Sequence, residues 1–99
     1  MVSNYSLHRK ANTELDEAIN WYLQKGGKKL ATHFLKDYIE TKDKILSNPF
    51  LFAKVSNECR QAKFDKFPFV IIYFPTETTV LVVAIFHTSR NPDNWQSRI

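Results

Sequence analysis

Hydrophobic spacing changes character along the chain. In residues 3–9, SNYSLHR, Tyr5 and Leu7 fall on one side of a loose alternation, which predicts a short strand. Leu15, Ala18, Ile19, Tyr22 and Leu23 then stand at i, i+3, i+4, i+7 and i+8, one face of an amphipathic helix. Asn12 or Thr13 is placed to cap it, with Asp16 as the acid of a capping box. Glu14, Asp16 and Glu17 would occupy its first turn, where the helix dipole favours acids. Gly26-Gly27 stops it. Ala31, Phe34, Leu35, Tyr38, Ile45 and Leu46 predict a second helix from about Lys28 to Leu46, ended by Ser47-Asn48-Pro49.

Beyond Pro49 the period falls to two. ECRQAKFDKF, residues 58–67, alternates roughly, with Arg60, Ala62, Phe64 and Lys66 on one side and Gln61, Lys63 and Asp65 on the other. FVIIYF (69–74) and VLVVAIF (80–86) are nearly unbroken apolar runs rich in β-branched residues, as in strands buried on both faces. PTETT (75–79) is of hairpin length. The predicted order is β-α-α-β-β-β, an α+β fold. Two helices joined by a Gly-Gly turn form a hairpin, and their apolar stripes cover a small, mainly antiparallel sheet.

Composition narrows this little. Ninety-nine residues suit one domain, residues 1–99, and 43% hydrophobic residues are ample for a core. The net charge of +4 is spread along the chain, with no basic block, and suits an acidic partner or nucleic acid. Cys59 is the single cysteine, so no internal disulfide forms, and it reads as a small buried hydrophobe. Residues 1–10 lack a signal-peptide pattern and no apolar run approaches the ~18 residues of a membrane span. A cytoplasmic protein without membrane contact is expected. His8, His33, His87 and Cys59 are far apart without ligand spacing, and neither a metal nor a cofactor is expected.

The chemistry-bearing residues gather at the end. AIFHTSRNPDNWQSRI (84–99) runs from an apolar strand into His87, Arg90, an Asn91-Pro92 turn, Trp95 and Arg98. Together with KFPFVIIY (66–73), the strand at 80–86 and FHTSRNPDNW (86–95), this order resembles the RelE/ParE superfamily of bacterial toxins, which includes plasmid stabilisation proteins. The resemblance covers almost the whole chain. It implies the toxin of a type II toxin–antitoxin system, silenced by an antitoxin encoded beside it whose C-terminal segment wraps the toxin. RelE-like members cut mRNA in the ribosomal A site. ParE-like members share the fold, lack the nuclease residues and inhibit DNA gyrase.

The resemblance also implies where each activity would reside. Metal-free RNA cleavage needs a base, cations around the crowded phosphate and an acid for the leaving oxygen. Lys63 falls where the nuclease pattern has a strand lysine, with Arg60 and Lys66 on the opposite side of that strand. Val70 stands where the RelE pattern has an arginine, and Trp95 where it has a catalytic tyrosine. These two departures favour ParE-like action through protein contact. His87 is the acid–base candidate, its unperturbed pKa lying near ~6.5, or else a structural histidine that orders the tail. Arg90 is suited to clamp a phosphate, or to pair with Asp93 or an antitoxin carboxylate. Trp95 is a wedge under the tail or a stacking platform. Arg60, Lys63, Lys66, Arg90 and Trp95 are thus the binding candidates. His87, Arg90, Lys63 and Arg60 are the catalytic set if the protein is a nuclease. Trp21 reads as core or antitoxin groove. Lys25, Lys28 and Lys29 mark a solvated turn or a gyrase contact.

Overall fold

The computed structural model describes residues 4–56, 58–90 and 95–99. The helical pattern becomes α1 (Arg9–Ser47), broken at Gly27, whose φ of 75° and ψ of −169° belong to no helix. Tyr22 and Phe34 stack at 5.0 Å between ring centroids. In an uninterrupted helix twelve residues would hold them about 18 Å apart. The segment therefore folds back on itself as the predicted hairpin. Both glycines are needed. Gly27 occupies backbone space open essentially to glycine alone. A Cβ on Gly26 would meet Leu30 Cδ2 at 2.5 Å.

The helix begins earlier than the Asn12–Thr13 cap predicts. His8 is the N-cap, its side chain accepting from the Lys10 N–H at 3.0 Å. Thr13 lies inside the helix and donates to Arg9 O at 3.2 Å, so no acid falls in the first turn. The cause is β1 (Asn4–Leu7), whose pairing continues through His8 N to Val82 O at 2.8 Å and delivers the chain directly into a helical turn. Leu23 and Leu35, counted in the apolar stripes, are exposed; Asp37 and Thr41 are buried instead.

The other strands are β2 (Arg60–Lys63), β3 (Phe69–Pro75) and β4 (Thr79–His87). The sheet order is β1-β4-β3-β2, with β1 parallel to β4 and the remaining pairs antiparallel. Thr76 closes the β3–β4 turn, its hydroxyl accepting from Thr79 N at 2.9 Å. A bulge at Val83 shifts the register between Ile72↔Ala84 and Tyr73↔Val82.

The strand expected over 58–67 is shorter. After Lys63 the chain turns, because Asp37 captures it. The Asp37 carboxylate accepts from the N–H groups of Asp65 (3.1 Å), Lys66 (2.8 Å) and Phe67 (2.8 Å). A buried carboxylate so bound needs no cation partner.

Both faces of β3 and β4 are covered, as their composition implies. On one face Phe69, Ile71, Tyr73, Val82 and Ile85 pack with Leu15, Tyr22 and Phe34 of the hairpin. On the other, Ile72, Val83 and Ala84 pack with Cys59 and Trp95, the last from a short 3₁₀ turn, Trp95–Arg98.

Candidate functional site

β1 pairs with β4 only as far as Leu7↔Val82, whereas β4 runs on to His87. The uncovered end of β4 and the first arm of α1 flank a groove of about 460 Å³. Its helical wall carries Glu14, Glu17, Ala18, Trp21 and Tyr22; its sheet wall carries Phe69, Ile85, Phe86 and His87, continuing to Ser89 and Arg90.

Each wall is fixed by identifiable contacts. His87 lies opposite Phe69 in the β3–β4 ladder, and the two rings meet edge to face at 5.3 Å. The Ser89 N–H donates to His87 Nδ1 at 3.0 Å, with Ser89 Oγ 2.7 Å from the same nitrogen. The neutral imidazole therefore carries its proton on Nε2. Trp21 is 54% exposed, stands edge-on to Tyr22 at 5.0 Å and lies under the Lys25 ammonium at 5.5 Å. Such an exposed, braced indole is a natural anchor for another protein.

Glu14 lines the groove and ties its two walls together. Its Oε1 accepts from Ile85 N at 3.1 Å and from Arg98 Nη1 at 2.8 Å, and its Oε2 from Arg98 Nη2 at 3.0 Å. Arg98 Nη1 also donates to Val83 O at 3.0 Å. The pair thus satisfies backbone groups on the stretch of β4 that β1 leaves uncovered.

The sequence-derived candidates divide. His87 and Arg90 share the groove. Lys63 pairs with Val70, itself opposite Phe86, and so projects from the sheet face away from the hairpin. Arg60 donates to Phe52 O at 2.7 Å and lies over the Phe50 ring at 5.3 Å. Lys66 borders a separate, smaller cleft with His33 and Lys36. Val70 and Trp95 are both buried. The Asn91-Pro92 turn and an Arg90–Asp93 pair lie outside the described residues. Burial raises the Cys59 thiol, as expected of an unreactive hydrophobe. Among the described residues no cluster of three or more His, Cys, Asp or Glu is arranged to hold a metal, and no helix is long and apolar enough to cross a membrane.

In the sequence Glu14 is marked only for the helix dipole, and no motif marks Asp37. An acid at a buried position of a helical stripe was the available sign for Asp37. Nothing local marks Arg98 as the partner of Glu14.

Comparison with known proteins assigns the family. The family model described as ParE toxin of type II toxin–antitoxin system, parDE, matches residues 5–92, and the chain belongs to this family. The fold is similar to that in the chromosomal ParDE toxin–antitoxin system of P. aeruginosa, with a TM-score of 0.74 at 17% identity, covering 87% of this chain and 96% of that one. It is also similar to a free-state double mutant of the E. coli toxin RelE, with a TM-score of 0.59 at 14% identity, covering 99% of this chain and 94% of that one. No curated protein sequence is significantly similar. The chain is a ParE-type toxin of a toxin–antitoxin system.

Proposed function

We propose that this toxin arrests growth by protein contact, with DNA gyrase as its target, and that a cognate antitoxin neutralises it by occupying the groove between α1 and β4. The observation that supports this reading is the makeup of the groove. An exposed Trp21 shares the groove with His87 and Arg90, while Lys63, on β2 and turned away from the hairpin, and Arg60, which donates to Phe52 O, do not line it. Among the described residues no three acid–base and phosphate-binding groups converge on one point, which favours a binding surface over a nuclease centre. The exposed Lys25, Lys28 and Lys29 at the hairpin tip are a compatible target contact.

The test is to express the chain without antitoxin and follow thymidine and methionine incorporation together. DNA synthesis stopping first, with loss of gyrase supercoiling by the purified protein, is the expected result. Protein synthesis stopping first, with mRNA cut on ribosomes, overturns it.

One observation favours a second reading, a RelE-like endoribonuclease. His87 has a fixed tautomer, and among the described residues its Nε2 has no partner, beside Arg90 in the same groove. That reading expects His87→Ala and Arg90→Ala to abolish toxicity while antitoxin binding persists. If neither DNA nor protein synthesis stops, while antitoxin still binds, the chain is a degenerate toxin that only engages its antitoxin.

A further inference from the structure

The segment between α1 and β2 exposes large apolar side chains on a backbone that is firmly held. Phe50, Leu51 and Val55 are 50%, 69% and 37% exposed. Beneath them, Tyr73 donates to Pro49 O at 2.7 Å, Arg60 to Phe52 O at 2.7 Å and Gln61 N to Ala53 O at 3.0 Å. Val55 N donates to Cys59 O at 2.9 Å. Apolar groups displayed on a pinned loop contribute little to folding and lose little entropy on binding.

Two cations border the apolar pair, while the nearby acid, Glu58, lies at the Val55–Cys59 end of the loop. Arg60 lies over the Phe50 ring, and Lys54 bridges to Arg60 through the backbone. Among the described residues neither cation has an acid within ion-pair distance. A segment that covered Phe50 and Leu51 would match this surface by bringing carboxylates to Lys54 and Arg60.

The loop is not part of the groove. It sits by Tyr73 and the edge strand β2, whereas the groove sits by Phe69 and β4. Four residues of β3 separate these ends by about 13 Å, with a further strand between. The groove by itself is small, its volume of about 460 Å³ being that of a site for a few side chains. A stable protein interface uses roughly 20–30 residues a side.

We propose that residues 50–55 with Arg60 form a second docking surface, which takes an apolar, carboxylate-bearing segment of the same antitoxin that fills the groove. This rests on the antitoxin reading above. The groove and the loop then hold one partner at two corners of the sheet.

The experiment is calorimetric titration of the toxin with the antitoxin encoded beside it. The variants are Phe50→Ser combined with Leu51→Ser, then Lys54→Glu, and Trp21→Ala as the groove control, each checked for an unchanged melting temperature. The expected result is affinity about tenfold or more below wild type in the Phe50/Leu51 variant. Lys54→Glu should weaken binding and flatten its salt dependence. Wild-type affinity in the Phe50/Leu51 variant overturns the second surface; if Trp21→Ala still weakens binding, the groove reading stands. Wild-type affinity in Lys54→Glu overturns the acidic character of the segment. Loss confined to the loop variants supports the surface and removes the groove.

Discussion

Arg98 grips Glu14 across eighty-four positions of sequence, donating to both carboxylate oxygens and holding Val83 O with the same guanidinium. The pair fastens the tail to the helix and covers part of the β4 edge. Removing either partner leaves the other charge poorly solvated, and loss of Glu14 also leaves Ile85 N without its acceptor. Glu14→Ala is expected to cost about 2–4 kcal/mol of stability. Arg98→Ala should cost a similar amount, and the double variant clearly less than the sum. Additive losses in urea denaturation would show that the two residues act separately.

Asp37 holds three backbone N–H groups that have no other acceptor of comparable quality. Asp37→Ala should lose about 3 kcal/mol or more, and amide exchange at 65–67 should accelerate. Asp37→Asn, which retains one acceptor oxygen, should fall between the two. Slow exchange at 65–67 in the alanine variant would show that the turn is held by something else.

Gly27 tests the hairpin. An alanine at its φ of 75° and ψ of −169° should cost about 1–3 kcal/mol. Thermal melts of Gly27→Ala against wild type measure this directly, and equal melting temperatures would contradict a broken helix at that residue.

The tyrosines give a pH dependence. Burial raises all four phenols: Tyr5, Tyr22 and Tyr38 move upward, and Tyr73 is pushed up to about 12. A raised phenol favours the neutral form in the folded state. Its contribution is complete below the ordinary value near ~10 and is lost as pH climbs through the folded one. Stability should therefore decline between about pH 10 and 12. Little tyrosinate absorbance should appear at the low end of that range until the protein unfolds. Tyr73→Phe should reduce the slope, and should also lose about 1 kcal/mol at neutral pH with its bond to Pro49 O. Ordinary phenol titration in the folded protein would remove the prediction.

Much of this architecture was legible in spacing. The 3.6-residue stripe at Leu15, Ala18 and Tyr22, the two glycines and the apolar runs at 69–74 and 80–86 give the elements and their order, because periodicity records which face is buried. The end of β2 was not legible. Its alternation continues through Asp65 and Lys66, but a carboxylate twenty-eight residues earlier draws the amides away. The helix start was also hidden, since His8 is an unusual cap and depends on β1 reaching Val82. At the site, His87 and Arg90 share a groove because one ends β4 and the other lies three residues beyond it. Whether Lys63 joined them depended on strand parity and sheet twist, which spacing alone leaves open.

The pairing of β1 with β4 bears on how the protein is made. β1 rests against β4, some seventy-five residues later, with Asn4 opposite Thr79 and Leu7 opposite Val82. Such long-range pairing forms late. A nascent chain that has not yet emitted residues 79–82 has helices but no seat for its N-terminal strand, and its sheet stays incomplete. The working surface comes together only once β4 has been made, so a partner protein already in place at that moment can meet the toxin as it first becomes able to act.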